Sequence, residues 1–233
     1  MASDMRDSRV LITSGPTRAN LDAVRFLSNR SSGRLGCQIA VEALESGAHV
    51  TLVAGPESVV PRQADLEPEA WQRLRIVSVE TVEDLLRVLK SELTSAPGYD
   101  AVVHAMAVLD YVPEEASERK VPSGKEEWTL RLTRTPKVIQ RIKEWSPEVV
   151  LVGFKLEVDR SESELLAAGR ESLRKNRADL VVANDLTRIR DEVHPALIIG
   201  RDGEILDRPG TKSEIARSLC QILAERLSGR AND

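Results

Sequence analysis

The sequence predicts a doubly wound α/β domain built on a mostly parallel sheet, and three observations carry that prediction. Short β-branched apolar runs recur along the chain, each followed by a longer stretch with helical spacing of its apolar residues. The first such pair is VLITSG at 10–15 and the amphipathic segment 34–45. Neither an internal repeat nor a Gly-, Ser- or Pro-rich linker divides the 233 residues, so a single domain over 1–233 is expected, with 1–8 and 229–233 as flexible tails.

Taken in order, the first strand is followed by a polar, irregular stretch over 15–33 and then by the first helix. Strands are expected at 49–53 and 74–77, where Val, Leu and Ile cluster, and a helix at 81–93, where they recur every three or four residues. The strand at 100–104 runs into a second irregular stretch, 110–125, and a further strand is expected at 128–132. Helix 136–144 begins with a proline, which suits a first turn because the missing N–H has no partner there anyway. A strand at 149–153 precedes helix 161–176, which opens with a serine and acids, as helix N-termini prefer. Strands at 180–183 and 196–199 and a last helix at 212–227 complete the order. Alternation of this kind specifies a single Rossmann-like sheet with helices on both faces. In such sheets ligands lie beyond the carboxyl ends of the strands, where the two irregular stretches should emerge.

The composition excludes several classes. With 41% apolar and 30% charged residues the chain can bury a sizeable core. Its net charge of −4 gives no general basic face for nucleic acid or anionic membrane, so small molecules are the expected partners. Cys37 and Cys220 are far apart and have no CxxC spacing, which excludes a disulfide scaffold and a zinc ribbon. No leader-like segment and no bilayer-length apolar run occurs, so a cytoplasmic protein is expected. Aromatic residues make up only 3% of the chain, so a bound nucleotide would be held by backbone and basic groups.

Three clusters can carry chemistry. In SNRSSGRLG (28–36), Ser31, Ser32 and Gly33 precede a helix whose amides would face an anion; a solvated helix-capping loop fits the same pattern. The segment lacks the Gly-Lys-Ser/Thr of a Walker loop, and no GxGxxG follows the first strand. A nicotinamide-dependent reductase needs an acid after the second strand and a Tyr-x3-Lys pair. Ala54, Gly55 and Pro56 stand at the first place, and Tyr111 is followed by Glu115 at the second. In the second cluster, 104–128, Asp110 could meet Mg²⁺ or a polar substrate group, and Lys120 a phosphate; a capping aspartate and a solvated lysine are the plain alternatives. In the third, VVLVGFKLE (149–157) and RKNRADLVVANDL (174–186), Phe154, Lys175 and Asn184 could flank a base and ribose, or form a turn and core packing. His49, His104 and His194 show no zinc spacing.

Together, in this order, the three clusters resemble the phosphopantothenoylcysteine synthetase family of coenzyme A biosynthesis, in its stand-alone bacterial form. ITSGPTRANLDAVRFLSNRSSGRLG is similar to that family's N-terminal signature, AVLDY followed by Lys120 to its second, and VGFKLE with KNRADLVVANDL to its third. The resemblance implies a ligase that joins 4'-phosphopantothenate to L-cysteine through an acyl-nucleotide, releasing pyrophosphate and a nucleoside monophosphate. A reductase or a non-catalytic nucleotide-binding regulator on the same fold are the alternatives. Carried over, Asn29, Lys120 and Asp110 would be catalytic, and Arg25, Asn29, Ala107 and Asp110 would bind substrate, Arg25 across a homodimer interface with a shared site. Gly15, Thr17, Ser31, Ser32, Gly33, Lys120, Phe154, Lys175 and Asn184 would bind nucleotide. The implied co-substrate is CTP, with ATP as the alternative, and the implied cofactor is Mg²⁺, with Asp110 as a candidate ligand.

Two departures bear on these expectations. Met106 replaces the small residue often found before Ala107, and the 115–126 flap reads KVPSGK without a dense lysine run. Few residues precede the first strand, so the flavin-dependent decarboxylase of bifunctional relatives, and with it a flavin, is not expected.

Overall fold

The structure is a computed structural model and describes residues 4–124 and 126–230, so the outermost ends of both expected tails and Lys125 of the flap lie outside the described residues. The chain runs β1 (Arg9–Ser14), β2 (Arg18–Asn20), β3 (Phe26–Ser28), α1 (Arg34–Glu45), β4 (His49–Ala54), α2 (Pro68–Gln72), β5 (Leu74–Ser78), α3 (Val82–Thr94), β6 (Ala101–His104) and β7 (Tyr111–Pro113). It continues through β8 (Leu132–Arg134), α4 (Val138–Trp145), β9 (Val150–Glu157), α5 (Glu162–Asn176), β10 (Leu180–Asp185), β11 (Ala196–Gly200), β12 (Ile205–Asp207) and α6 (Lys212–Arg230).

The main sheet has eight strands in the order β12-β11-β10-β9-β6-β1-β4-β5. From β5 to β10 every pairing is parallel, while β11 and β12 add an antiparallel edge. The chain leaves β1 in one direction for β4 and β5, then returns past it to β6, β9 and β10. Strand order therefore reverses between β1 and β6, the point at which a crevice opens in folds of this class.

Strand alternation sorts the apolar residues into two cores. Val10 and Ile12 of β1, Val50 and Leu52 of β4, and Val150 and Val152 of β9 face α1 and α6. Leu11, Val53, Leu151 and their equivalents face α3, α4 and α5. Each fully buried Leu or Ile contributes roughly 1.5–3 kcal/mol relative to exposure. Strands covered on both faces read as continuous apolar runs, which is why they stand out in the sequence. Capping boxes fix two helix starts: Thr81 with Asp84 opens α3, and Ser161 with Glu164 opens α5.

Three expectations are corrected. Met5 is 1% exposed and packs in the α1/α6 core, and α6 continues to Arg230, so residues 5–8 and the end of the last helix are not loose tails. The strand expected at 128–132 forms only at Leu132–Arg134, because its sole partner, β7, offers three residues to pair with. The β2-β3 ribbon and strand β7 of the β7-β8 ribbon occupy stretches expected to be irregular. Among the described residues no helix is long and apolar enough to cross a membrane.

Candidate active site

The loops that leave β1 and β6 are stitched together at the reversal point. Ala107 N–H donates to the Gly15 carbonyl at 2.8 Å, and Thr17 N–H donates to the Ala107 carbonyl at 3.2 Å. Thr17 is fully buried and its hydroxyl accepts from Leu109 N–H at 2.9 Å, while Ser28 donates to the Thr17 carbonyl at 3.0 Å. The Thr17 side chain is therefore committed to bracing the two loops. Gly15 likewise lends its carbonyl to the brace.

Asn29 stands at the mouth of this seam. Its Nδ2 donates to the carbonyls of Ala107 at 3.2 Å and Val108 at 3.1 Å. With both amide hydrogens directed at carbonyls, Oδ1 is the group left to meet a ligand, and it is an acceptor. The family resemblance implies Asn29 and Ala107 as site residues, and the two are hydrogen-bonded to each other.

The anion cradle forms where α1 begins. Gly33 is the N-cap residue with φ of 71°, a left-handed conformation that costs other residues about 1–2 kcal/mol. Its carbonyl accepts from Ser14 Oγ at 2.9 Å, and the Ser32 carbonyl accepts from Val59 N–H at 2.9 Å. No side chain caps the first-turn amides of α1, and no acid lies in that turn. Uncapped amides at a helix start carry partial positive charge and suit an anion. Arg30 and Arg34 are exposed on either side of this turn, Ser31 is half-buried and Ser32 exposed. Behind the cradle Gly55 packs against the preceding loop so closely that a Cβ there would lie 1.9 Å from the Pro16 carbonyl oxygen. Since β4 ends at Ala54 and is followed by Gly55, it offers no carboxylate for an adenosine ribose.

Asp110 lies just past the seam, with Lys137 Nζ at 2.6 Å and its own carbonyl accepting from Thr135 N–H at 2.9 Å. Lys137, at the N-cap of α4, is a neighbour that local sequence does not reveal. Among the described residues no group of three or more His, Cys, Asp or Glu could hold a metal ion, and Asp110 presents one already paired carboxylate. These donors do not build a resident magnesium site.

Arg25 is turned inward. Its guanidinium meets buried Asp22 at 2.5 Å, donates to the Val121 carbonyl at 2.7 Å and lies 4.5 Å from the centre of the Trp128 ring. The arginine's hydrogen bond, reinforced by main-chain donors, holds the Asp22 carboxyl well below the usual carboxylate range. Lys120, next to Val121, is exposed on the flap, and a cleft of about 620 Å³ lies between the flap and the segment that leads into β8, lined by Leu21, Ser117 and Trp128 among others. Local sequence does not reveal the link from Asp22 to the flap, a contact 99 residues away.

The third cluster is divided by the sheet. Phe154 packs against the α1/α6 core, and Asn184, 6% exposed, alternates onto the same side. The Asn184 amide lies 3.1 Å from His194 Nε2, and burial pushes that imidazole down to about 4. Lys175 sits in the last turn of α5, which covers the other face, and pairs with Glu171 at 2.5 Å. The residue beside Asn184 closes a loop instead. Asp185 is buried and accepts from Thr187 Oγ1 at 2.6 Å and from the main chain of Arg160 and Asp159, which fixes the β9-α5 connection.

Comparisons with known proteins bear on the chain as a whole. A family model described as the DNA/pantothenate metabolism flavoprotein C-terminal domain matches residues 5–227. The coenzyme A biosynthesis bifunctional protein CoaBC of Thermococcus kodakarensis is 40% identical over 224 residues, which cover 96% of this chain and 52% of that protein. The CoaBC of Bacillus subtilis is 30% identical over 185 residues, 79% of this chain and 42% of its own length. The chain spans about half the length of the curated relatives it matches, and these relatives are bifunctional proteins. Among solved structures, the DNA/pantothenate metabolism flavoprotein from Streptococcus pneumoniae superposes with a TM-score of 0.81 at 31% identity, covering 96% of this chain and 99% of that one.

Proposed function

Because the chain belongs to the DNA/pantothenate metabolism flavoprotein C-terminal domain family, as its resemblance to phosphopantothenoylcysteine synthetases implied, we propose that it ligates 4'-phosphopantothenate to L-cysteine in coenzyme A biosynthesis. The observation that carries the reading is Asn29, anchored on the Ala107 and Val108 carbonyls beside an uncapped helix start. In the first step the phosphopantothenate carboxylate attacks the α-phosphorus of the triphosphate. A carboxyl oxygen to phosphorus bond forms, the bridge to the β-phosphate breaks, and pyrophosphate leaves. In the second step the cysteine amine attacks the acyl carbon and a carbon–nitrogen bond forms; the bond from the acyl carbon to the phosphate oxygen breaks, and the nucleoside monophosphate leaves with that oxygen while the amine's proton passes to it or to solvent.

Charge must be neutralised in both steps, and prearranged amides and cations do so without reorganising. The α1 amides, with Ser31, Ser32 and Gly33, serve one phosphate group, and Lys120 on the flap serves the departing pyrophosphate. Asn29 Oδ1 accepts from the cysteine amine and aims it at the acyl carbon, a near-attack alignment. Ala107 and Asp110 line the same pocket, and Arg25, tied to Asp22 and Val121 through Nε and Nη2 but with its side chain 41% exposed, is assigned to the substrate phosphate on resemblance. Gly15 and Thr17 belong to the nucleotide site through the backbone they brace. Phe154 and Asn184, on one side of the sheet, are assigned to base and ribose; Lys175 lies across the sheet and pairs with Glu171, and is assigned there on resemblance alone, so that an unchanged KM for the triphosphate in Lys175→Gln would remove it from that set. CTP is the proposed nucleotide, on resemblance. Mg²⁺ arrives with the triphosphate, since among the described residues no group of three or more His, Cys, Asp or Glu could hold it.

We also assign a homodimer. The two ribbons present Val24 (62% exposed), Phe26 (46%), Tyr111 (53%) and Leu132 (48%), an apolar set that a second copy would cover. Light scattering at the mass of one chain would remove this assignment. For the reaction itself, the protein is mixed with phosphopantothenate, cysteine, Mg²⁺ and CTP or ATP, and pyrophosphate and the monophosphate are followed. Stoichiometric release of both with CTP is expected, and no turnover with either triphosphate overturns the reading.

A further inference from the structure

One carboxylate ties the flap to the β2-β3 turn. Asp22 is 3% exposed and accepts from five donors. Its Oδ1 takes the main-chain N–H groups of Val24 and Arg25, both at 2.8 Å, and so forms the turn itself. Its Oδ2 takes Arg25 Nε at 3.0 Å, Arg25 Nη2 at 2.5 Å and, from the flap, Val121 N–H at 3.0 Å. Arg25 Nη2 then donates to the carbonyl of the same Val121 at 2.7 Å. Both polar groups of one flap residue are therefore held by one ion pair whose carboxylate is buried and whose guanidinium is partly exposed. Ser117 N–H, which donates to the Leu21 carbonyl at 3.1 Å, and the stacking of Arg25 on Trp128 add contacts on either side.

We propose that Asp22 is a positioning residue: through Oδ2 it docks the flap and thereby sets where Lys120 stands over the anion-binding edge. The assignment rests on the ligase reading for what Lys120 does, but not for the docking. The two oxygens divide the labour, and this makes the role separable from folding. An asparagine at 22 keeps one oxygen for the turn and replaces the other with an N–H donor, which can accept from neither Val121 nor Arg25.

The test is hydrogen exchange of the flap in the ligand-free chain, with and without Asp22→Asn. Amides over 117–124 should exchange at least tenfold faster in the variant, while those of β1 keep their protection. In a Trp71→Phe/Trp145→Phe background the Trp128 emission should shift to the red. Val121→Pro, which deletes the donor from the flap side, should reproduce both changes. In the ligation assay, kcat/KM for the triphosphate should fall at least tenfold with KM for cysteine unchanged. Unaltered exchange in D22N overturns the docking whatever the activity. Faster exchange with unaltered triphosphate kinetics overturns the positioning of Lys120. A parent chain that turns over no triphosphate sinks the ligase reading and the positioning with it, and the exchange data still decide the docking.

Discussion

The side-chain amide of Asn29 meets the main-chain carbonyl of Ala107 at 3.2 Å, a contact between residues 78 apart in sequence that spans the reversal of the sheet. An aspartate at 29 would face that carbonyl and Val108's with a carboxylate, and like partial charges would turn it away. Asn29→Asp is therefore expected to lower amide formation at least 100-fold while pyrophosphate release in the absence of cysteine persists. Asn29 is exposed and each lost hydrogen bond is worth about 1 kcal/mol, so Tm should fall by no more than roughly 4–8 °C. Parent-like synthesis would exclude Asn29 from the reaction.

Lys120→Gln should slow pyrophosphate release at least tenfold at saturating CTP and leave Tm within about 1 °C, because the side chain is exposed and surface charges contribute little to folding. A rate equal to the parent's would make Lys120 a solvated bystander.

The cradle is tighter at Gly55 than at Gly33. A Cβ at 33 would meet Ser14 Oγ and Ser58 Cβ at 3.0 Å each, in a left-handed conformation, so Gly33→Ala should cost about 1–2 kcal/mol. A Cβ at 55 would lie 1.9 Å from the backbone oxygen of Pro16, which must move together with the loop it belongs to. Gly55→Ala should therefore raise the KM for triphosphate more than Gly33→Ala does. Urea denaturation and steady-state kinetics on both variants check the order, and the reverse order would show that the loop yields easily.

How much of the fold and site is legible in the sequence follows from where each signal resides. The parallel strands announce themselves because both faces are buried, so β1, β4, β9 and β10 are apolar runs whatever their neighbours. Thr81 and Ser161 mark helix starts through hydrogen bonds confined to four residues. The β7-β8 ribbon does not show, since its exposed apolar residues mimic a core strand while pairing over only three positions. At the site, Gly33 is readable as a residue type suited to its chemistry, whereas Asn29 is picked out only by the family resemblance. Asp22, Lys137 and His194 are not readable, because each acquires its role from a partner brought in by the fold.

His104 gives the fold a pH dependence. Its Nδ1 lies 2.8 Å from Thr13 Oγ1 inside the sheet, and burial pushes the imidazole from 6.5 down to about 4. The unfolded chain therefore binds a proton that the folded one refuses between those values, and stability rises with pH across that window. The full contribution is present above about pH 6.5, and roughly 2 kcal/mol of it should be lost by pH 5. His194, also held at about 4 by burial, acts in the same direction. His104→Gln should flatten the fall between pH 7.5 and pH 5 in urea midpoints, and an unchanged slope would assign the acid sensitivity elsewhere.

Lys143 and Asp179 form a buried pair at 2.8 Å at the edge of the sheet opposite the cradle, with side chains 10% and 5% exposed. Asp179 also accepts from Leu151 N–H at 2.9 Å, and Lys143 donates to the Val149 carbonyl at 2.7 Å, so the pair locks the end of α4 to the starts of β9 and β10. Removing the lysine leaves a carboxylate in a site built for a neutral pair, and losses of this kind run to about 3–5 kcal/mol. Arg201, 3.7 Å from the other Asp179 oxygen, offsets part of that, so Lys143→Met should cost about 3 kcal/mol, a Tm drop of roughly 6–12 °C. Adding Asp179→Asn removes the uncompensated charge while keeping an acceptor for Leu151, and should recover part of the loss. Because this pair is remote from Gly33 and Asn29, both variants should keep the parent's KM values below their melting temperatures. A change in KM for the triphosphate would mean that the two edges of the sheet are coupled, and a K143M chain as stable as the parent would mean that Arg201 alone suffices for Asp179.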